Sequence, residues 1–302
     1  MNIIDINLQH LKPYLDNQDY IDLSIKEEGV IWCKRFDGLW QKITNPEITK
    51  IYLQGLFRLI ATTNNKEIQD IDNFRENLDL RLDGNIHRVN LVFGGSKGAG
   101  FGITIRLKRN RKITLDDFVI NPKDKEKIIS LIKQQKNILI SGGVGTGKTT
   151  FLNALLSYIE DKHNKRIITV ENASEIDLSS FPNSYPFIYE KDTEKDVLDV
   201  LNDCFRSSPD ILILGELRQE NSLPFLRFIN SGHDGTFSTI HASDCEGALA
   251  AIAANITAIH ANKTTKQIIE ELKLRLSCVI QLKKIYPKNE KAQVIVREVL
   301  YL

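Results

Sequence analysis

The sequence lacks the features that define several classes of protein. Its four cysteines are far apart and form no CxxC pair, which argues against a zinc knuckle and against a disulfide scaffold. No apolar run approaches the roughly 18 residues needed to span a bilayer. Residues 1–19 show no basic start followed by an apolar core, so we predict no secretory signal. We expect a cytoplasmic protein that is soluble or at most peripheral on a membrane.

An excess of charge of either sign is also missing. The chain carries 40 lysines and arginines against 39 aspartates and glutamates, a formal net charge of +1. No field of the whole molecule therefore attracts it to nucleic acid or to an anionic membrane, and such a contact requires a local patch. A hydrophobic content of 42% and a length of 302 residues are ordinary for a globular chain that could hold two domains.

Residues 1–107 are predicted to form a smaller α+β domain. Alternating apolar residues predict strands over 29–36 and 39–43, joined by a hairpin turn at Asp37-Gly38. A helix is predicted over 48–61 from apolar residues at helical spacing. Two further predicted strands, 86–93 and 100–108, flank a glycine-rich loop. These elements predict a mostly antiparallel sheet.

The stretch RLKRNRK at 106–112 places five basic side chains in seven positions, and a new pattern begins after it. Residues 108–116 are therefore interpreted as a basic linker between two domains. A solvated connection is one explanation of the charge. The other is a patch that contacts phosphates, a neighbouring subunit or anionic lipid.

Strands and helices alternate through residues 117–302. Apolar strands are predicted at 137–141, 166–170, 211–216 and 236–240, with helical segments between them. Strands that are apolar throughout belong to sheets buried on both faces, so we predict an α/β fold with a mostly parallel sheet. Ser243 and Glu246 are predicted to form a capping box. The runs 278–285 and 294–302 are expected to add antiparallel strands at an edge.

The stretch GGVGTGKT at 142–149 matches the GxxxxGK[ST] phosphate loop (Walker A), with an apolar strand before it and a helix after it. Such a loop turns successive backbone N–H groups toward one anion, and the helix N-terminus adds its positive end. Lys148 is expected to reach the β- and γ-phosphates, and the Thr149 hydroxyl to bind Mg²⁺. The predicted nucleotide contacts are Gly142, Gly143, Val144, Gly145, Thr146, Gly147, Lys148, Thr149 and Thr150.

Two glutamates follow buried strands, where open α/β sheets bind their ligands. Glu216 ends the strand ILILGE and is predicted to activate the attacking water and to support Mg²⁺, directly or through water. Glu171 follows RIITV, the next strand in sequence after the phosphate-loop helix, and is predicted to lie beside Mg²⁺. Glu175 and Asp177 are nearby acids with less claim. The alternatives are an exposed strand-end charge at 216 and an ordinary loop acid at 171.

The segment SGHDGTFSTIHASD at 231–244 holds two histidines eight positions apart around a strand-like run. A metal role is not expected, because no third ligand lies at short spacing. The residues alone leave His241 as a site residue or as a strand-end side chain that hydrogen-bonds its neighbours. His233, in the sequence Gly-His-Asp-Gly, is a turn residue or a sensor.

Four motifs in this order resemble those of the secretion-superfamily traffic ATPases: the phosphate loop, TVENASEID, ILILGELR and the histidine segment. The resemblance implies a RecA-like P-loop domain over 117–302, a PAS-like N-terminal domain, ATP and Mg²⁺ as ligands, and a homo-hexamer. Within the superfamily the chain is most similar to the type IV secretion and conjugation branch, whose motors dock on inner-membrane apparatus. Pilus motors are the alternative. The resemblance also implies that His241 lies near the γ-phosphate and couples the nucleotide state to domain movement.

The same resemblance implies roles for two arginines. Arg106 matches a position that offers an arginine to the nucleotide across a domain or subunit boundary. Arg206 matches the first of two arginines commonly found before Pro-Asp.

Four positions depart from the family pattern. Lys97 stands where an arginine would be expected and lacks its bidentate fork, which weakens the transfer of that arginine role. Ser208, Asn172 and Asn221 also depart from the pattern, in a direction that could tune hydrolysis downward, and Glu171, Glu216 and Lys148 stay in place.

Two functions of other classes compete with a hexameric motor. One is a structural subunit that binds ATP but barely hydrolyses it, which the departures from the family pattern favour. The other is a nucleic-acid translocase, suggested by RLKRNRK. Aromatic side chains that would stack on bases are not interleaved in that stretch, so nucleic acid is not expected as a direct ligand.

Overall fold

A computed structural model describes residues 7–68, 70, 74–82, 84–93, 101–109, 113–172, 174–189, 194–259, 263–287 and 292–302, without the side chains of 194–198. The chain divides into two compact units. The first comprises residues 1–111 with 289–292, and the second comprises 112–288 with 293–302. The division between 111 and 112 falls inside the stretch predicted to be a linker.

The first unit contains a sheet formed by β1 (Tyr20–Glu27), β2 (Val30–Arg35), β3 (Trp40–Thr44), β4 (Arg75–Leu82), β5 (Asn85–Phe93) and β6 (Phe101–Arg106). The strands lie in the order β3-β2-β1-β6-β5-β4, and all neighbours are antiparallel. The predicted antiparallel sheet is confirmed.

β2 and β3 form the hairpin predicted at Asp37-Gly38. Gly38 has a φ of 85°, a conformation that glycine adopts without the steric cost of a side chain. β1 and β4 lie outside the predicted set. β4 is rich in residues that are uncommon in strands, and its pairing with β5 overrides that preference.

The described part of the first unit also contains the helices α1 (Lys12–Leu15) and α2 (Lys50–Thr63). α2, predicted over 48–61, begins after Thr49, whose hydroxyl accepts the Tyr52 N–H at 3.1 Å. One face of α2 shares a core with the inward side chains of the strands. The buried residues of that face are Leu53, Leu56, Phe57, Ile60 and Ala61.

Arg109, in the basic stretch 106–112, connects the chain after β6 to the segment at the start of β1. Its guanidinium donates to three backbone carbonyls at 2.6 Å each, from Nε to Tyr20, from Nη1 to Leu15 and from Nη2 to Asn17. Burial lowers the pKa of this side chain. Arg109 is therefore a structural residue and does not belong to a free basic patch. Residues 110–112 lie outside the described residues.

The second unit contains a sheet formed by β7 (Ile138–Gly142), β8 (Ile167–Glu171), β9 (Ser184–Ile188), β10 (Ile211–Leu214), β11 (Thr236–Ile240), β12 (Cys278–Ile285) and β13 (Gln293–Tyr301). The order is β13-β12-β7-β11-β10-β8-β9. All neighbours are parallel except β12 and β13. Every residue of β7, β8, β10 and β11 is buried. The predicted α/β class with a mostly parallel sheet is confirmed.

The described part of the second unit contains the helices α3 (Pro122–Lys133), α4 (Lys148–Leu156), α5 (Glu194–Arg206), α6 (Gln219–Asn230), α7 (Cys245–Ile259) and α8 (Thr265–Arg275). Short 3-10 turns span Leu115–Asp117 and Lys162–Asn164. α3 and α4 share one apolar core, whereas α6, α7 and α8 share another, so the sheet separates two layers. Within the described residues, no helix combines the length and the apolar character required to cross a membrane.

Three details of the second sheet differ from the prediction. β12 runs parallel to β7, because α7 and α8 provide the crossover that a parallel connection requires, so only β13 is antiparallel. β9 is an unpredicted edge strand whose sequence, SYPFI, contains Pro186. The helix predicted near 223–230 begins earlier, at Gln219, with Pro224 inside it.

The start of α7 also differs from the prediction. Asp244 Oδ1 accepts the Gly247 N–H at 2.7 Å, while the Ser243 hydroxyl donates to the other oxygen of Asp244 at 2.9 Å. Glu246 pairs with Lys273 at 2.8 Å. The expected capping box of Ser243 and Glu246 is therefore wrong. The shorter Asp side chain takes the capping position.

Arg109→Ala is expected to lower the free energy of unfolding of the first unit by about 2 kcal/mol, because three carbonyls lose a charged donor. Both tryptophans of the chain, Trp32 and Trp40, lie in this unit. Urea unfolding of the intact chain, followed by tryptophan emission, therefore measures the change.

Arg106→Ala is the matched control for this measurement. The Arg106 side chain is 60% exposed and its Nε lies 3.7 Å from Asp22 Oδ1. An exposed pair of this kind contributes about 0.5 kcal/mol or less. Equal losses for the two variants would contradict the structural role of Arg109.

Candidate active site

The phosphate loop connects β7 to α4 at the carboxyl end of the parallel strands. Gly145 and Gly147 have φ values of 70° and 84°, in the region that favours glycine. A Cβ on Gly142 would lie 2.6 Å from Thr146 Oγ1 and 3.0 Å from the Leu282 carbonyl. The glycines therefore permit the tight backbone path that a phosphate-binding loop requires.

Lys148, the first residue of α4, is held by the loop that precedes it. Its Nζ donates to the carbonyl oxygens of Gly142 at 3.0 Å and Gly143 at 3.2 Å, and it lies 2.9 Å from His241 Nδ1. Only 7% of the residue is exposed. Three acceptors satisfy the three hydrogens of the ammonium, so a phosphate must replace at least one of them.

The Lys148 ammonium loses its proton more readily than an ordinary lysine does. Burial lowers the pKa of its ammonium to about 8, and the negative charges of Glu216 and Glu175 oppose that shift. Most of the lysine is therefore charged at neutral pH, but a modest rise in pH removes the proton.

His241 follows β11 and connects Lys148 to Glu216. Its Nδ1 faces the lysine, and its Nε2 lies 2.6 Å from Glu216 Oε1. An ammonium has only donor hydrogens, so Nδ1 must accept and the ring proton must sit on Nε2, which donates to the carboxylate. A continuous hydrogen-bonded path thus joins the Lys148 amine to a carboxylate.

Both carboxylate oxygens of Glu216 are engaged. Oε1 accepts from His241, and Oε2 accepts from Arg218 Nε at 2.9 Å and from its Nη2 at 2.6 Å. Burial raises the pKa of Glu216, but the hydrogen bonds and charge of Arg218, with the charge of Lys148, lower it below its ordinary value. Glu216 is therefore a partly buried carboxylate that is ionised at neutral pH.

Three neighbouring strands bring these side chains together. β7, β11 and β10 are adjacent and parallel, so their carboxyl ends meet at one edge of the sheet. Lys148 follows β7, His241 follows β11 and Glu216 follows β10. The Thr239 hydroxyl donates to the Gly215 carbonyl at 2.7 Å, which joins the ends of β11 and β10. The structure thus brings together three of the predicted site residues.

Glu171 has contacts that differ from those expected. Its Oε1 accepts the N–H groups of Glu175 at 2.9 Å and Ile176 at 3.0 Å, and its Oε2 accepts the Thr169 hydroxyl at 3.1 Å. Burial raises the pKa of Glu171 although these hydrogen bonds oppose the shift. β10 and β11 lie between its strand and β7. Glu171 therefore fixes the following loop, and a place for it beside Mg²⁺ stays a prediction.

Glu175 is the acid of this segment whose charge acts on Lys148. The side chain is half-buried, and its backbone carbonyl accepts from Asn153 of α4 at 2.9 Å. Glu171 accepts the Glu175 N–H, so Glu171 fixes the backbone of this segment, whereas the charge of Glu175 acts on Lys148. Glu175, which had less claim than Glu171 in the sequence analysis, is therefore a further candidate for the acid near Lys148.

His233 lies at the other end of β11 from His241, because it precedes the strand. The strand has five residues and spans roughly 16 Å. The His233 ring packs on Phe228 with the centroids 4.4 Å apart, and burial lowers the pKa of the ring. Its backbone carbonyl accepts from Asn137 at 3.3 Å. The structure supports the interpretation of His233 as a turn residue.

The predicted arginines lie on other parts of the chain. Arg206 ends α5 and is exposed, and the chain then enters β10 at its amino end, opposite the phosphate-loop edge. Ser208, between them, has a φ of 51°. Arg106 ends β6 of the first unit, where it contacts Asp22. Lys97 lies outside the described residues. Roles for both arginines in nucleotide chemistry stay predictions.

Asn221, named above only as a departure from the family pattern, and Arg218, which had no predicted role, both take part in the site. Asn221 is buried, and its amide donates to the Glu216 carbonyl at 2.8 Å and accepts the Arg218 N–H at 2.8 Å. A carboxylate at 221 could not make the first bond, because it has no N–H. Asn221 reaches back from the third helical position, but the guanidinium of Arg218 has no acceptor, so the sequence holds no capping-box signal that points to this turn.

The oxygen atoms at this edge suit a magnesium ion that also binds phosphate. The described residues hold no group of three or more His, Cys, Asp or Glu side chains able to form a metal cage. Mg²⁺ commonly takes one or two protein oxygens and completes its shell with waters and substrate phosphates. The half-buried Thr149 and the carboxylates of Glu216 and Glu175 offer oxygens of that kind.

Comparison with known proteins identifies relatives over most of the chain. A family model of type II/IV secretion system proteins matches residues 35–296. The type IV secretion system protein VirB11 of Bartonella quintana is 27% identical, over 80% of this chain and 77% of that protein. The type IV secretion system protein PtlH of Bordetella pertussis is 29% identical, over 82% of this chain and 79% of that protein.

The X-ray structure of the Legionella pneumophila ATPase DotB is similar in fold. It matches with a TM-score of 0.72 at 16% identity and covers 98% of this chain and 80% of that chain. At this identity the likeness shows a shared fold, which agrees with the mixed α/β architecture described above.

Nucleotide affinity is expected to fall as the pH rises through about 8, because the amine of Lys148 loses its proton there. Bound phosphate favours the charged amine, so the dissociation constant should rise about tenfold per pH unit above that value. Titration of a fluorescent ATP analogue from about pH 7.5 to about pH 9.5 measures this dependence. Lys148→Arg keeps its charge throughout, so its affinity should not vary. If the dissociation constant of the parent chain were equally independent of pH, deprotonation of Lys148 would not control nucleotide binding.

Glu175→Gln is expected to lower ATP hydrolysis by about tenfold or more, because it removes a charge that acts on Lys148. Glu171→Gln keeps a carbonyl oxygen for both N–H groups and should stay within about threefold of the parent rate. Steady-state phosphate release compares the two variants. If Glu171→Gln lowered the rate of phosphate release more than Glu175→Gln did, Glu171 would be the acid that acts in the site.

Proposed function

Because this chain belongs to the type II/IV secretion system protein family, we propose that it is a hexameric motor for a type IV secretion or conjugation apparatus. The predicted secretion traffic ATPase is confirmed by the family and by the relatives that match most of the chain. The observation that carries the proposal is the hydrogen-bonded path from Lys148 through His241 to Glu216.

Binding of ATP changes the partners of Lys148. A phosphate oxygen carries more negative charge than a carbonyl or an imidazole nitrogen, so the ammonium transfers its hydrogen bonds to the phosphates. His241 Nδ1 then loses its donor, and the polarised hydrogen bond from Nε2 to Glu216 weakens. Glu216 Oε1 becomes available to orient the attacking water, and hydrolysis yields ADP and phosphate. His241 thereby transmits the state of the nucleotide to the histidine segment.

The chain's own oxygens fit Mg²⁺ in this role. We propose that the Thr149 hydroxyl binds the ion, with Glu216 or Glu175 supporting it through water. Held by these residues, an ion would supply positive charge that neutralises the phosphates. Glu171 accepts the N–H groups of Glu175 and Ile176 and so supports this segment. We propose that it does not contact the ion.

We propose a RecA-like P-loop domain over 117–302, a PAS-like α+β domain over 1–107 and a linker over 108–116. The phosphate loop after β7 of a parallel sheet supports the first assignment. Arg106 and Arg206 are proposed to act on nucleotide across a boundary. Arg206 lies at the edge opposite its own phosphate loop, so a nucleotide that it contacts must belong to another copy.

The proposed partners are further copies of this chain and the inner-membrane proteins of a secretion or conjugation apparatus. The chain would lie peripherally on the cytoplasmic face of that membrane. Both relatives described above are named type IV secretion system proteins, which favours this assignment over a pilus motor. Nucleic acid is not proposed as a direct ligand.

A structural subunit with little turnover, gated by ATP, is the second candidate. It is favoured by the occupancy of both Glu216 oxygens, because a carboxylate engaged by His241 and Arg218 is not open to a water molecule. Such a subunit would bind nucleotide and release phosphate slowly, with or without its assembly partners.

Lys148→Ala is expected to abolish nucleotide binding, because the loop loses its ammonium. Glu216→Gln should bind nucleotide like the parent and hydrolyse it about 100-fold more slowly, because the amide cannot accept a proton from water. Equilibrium binding and phosphate release measure the two effects. Mass measurement in solution on the same samples, with and without ATP and Mg²⁺, tests for the hexamer.

Glu160→Gln is the control for the loss of a carboxylate. Glu160 is exposed and pairs with Lys133 at 2.8 Å, outside the site, so this variant should keep the parent rate. Parent-like hydrolysis by Glu216→Gln would remove its catalytic assignment. A strict monomer under both conditions would favour the structural role.

A further inference from the structure

We propose that Arg218 is a positioning residue that holds one oxygen of Glu216 so that the other alone is presented to the nucleotide. The inference rests on the proposed role of Glu216 in hydrolysis and assigns a task to a residue outside the predicted set. It starts from the fact that the guanidinium contacts Oε2 with two N–H groups and leaves Oε1 to His241.

The contact fixes the rotation of the carboxylate. The terminal torsion of a glutamate is broad and nearly two-fold, so its two oxygens exchange places easily when nothing holds them. Nε and Nη2 of Arg218 lie 2.9 and 2.6 Å from Oε2, and a planar guanidinium donates along fixed directions. Oε2 is therefore anchored, and Oε1 is the oxygen at the end of the path from Lys148.

The backbone beneath Arg218 is itself held by buried polar groups. Asn221 bridges the Glu216 carbonyl and the Arg218 N–H, and the Ser222 hydroxyl donates to the Arg218 carbonyl. Asn255 of α7 donates to that hydroxyl at 3.1 Å. Asn221 and Ser222 are 2% and 0% exposed. The turn that carries Glu216 and Arg218 is thus rigid, so the guanidinium has a fixed base.

The two carboxylate oxygens of Glu216 have different roles in this proposal. His241 covers Oε1 while Lys148 donates to the histidine. In the proposed mechanism, the hydrogen bond from His241 to Oε1 is released when the lysine donates to phosphate instead. Arg218 stays on Oε2 through that change, because its hydrogen bonds do not involve the phosphate loop. The oxygen that His241 uncovers then keeps its place, which matters because misplacement by about 1 Å can cost a hundredfold in rate.

Arg218→Ala is expected to lower kcat by about 10- to 100-fold, with KM and the dissociation constant of an ATP analogue within about twofold of the parent. Arg218→Lys should be intermediate, because an ammonium lacks the planar pair of N–H groups. Millimolar guanidinium chloride should restore part of the rate of Arg218→Ala, whereas sodium chloride at the same ionic strength should not.

The double variant with Glu216→Gln makes the test specific. An effect that acts through the carboxylate disappears once the carboxylate is gone, so Arg218→Ala should change the residual single-turnover rate of Glu216→Gln by less than about twofold. A further large loss in the double variant, or loss of nucleotide binding by Arg218→Ala, would overturn the positioning role. So would a parent-like kcat for Arg218→Ala. Parent-like turnover by Glu216→Gln alone would instead reject the catalytic assignment on which the inference rests.

Discussion

The buried ammonium of Lys148 is the group on which the rest of the site depends. It has little access to water, so its charge is stabilised by two carbonyls of its own loop, the His241 ring and two nearby acids. Each of those partners is weaker than a phosphate. The loop, the histidine and Glu216 are therefore arranged around this cation. In the proposed mechanism the cation exchanges partners when nucleotide binds, and the exchange reaches the carboxylate through one imidazole ring.

The order of strands in space decides which acid can take part. β11 and β10 lie between β7 and β8, so the strand that follows the phosphate-loop helix in sequence is not its neighbour in the sheet. Glu216 comes near Lys148 because β10 is separated from β7 by β11 alone. Glu171, at the end of β8, has its oxygens occupied by the chain, and it instead holds Glu175, whose charge acts on the lysine.

Local patterns predicted the features that a short stretch of chain determines. The phosphate loop, the hairpin at Asp37-Gly38 and the buried parallel strands each depend on neighbouring residues. Contacts between distant segments left no such pattern. Arg109 bonds residues some ninety positions away, and β12 is parallel because of a crossover. The partners of Glu171 are close in sequence, but no local pattern indicates that both of its oxygens accept hydrogen bonds from them.

The border strand β9 limits how this sheet can meet another molecule. Backbone N–H groups alternate along a strand, and Tyr189, just beyond β9, donates to Glu171 on the β8 side. Position 186 therefore faces outward, and as proline it offers no hydrogen there. An additional strand could not pair along this border without a gap. A molecule that meets this border must therefore contact exposed side chains such as Tyr185 and Ile188 and cannot simply extend the sheet.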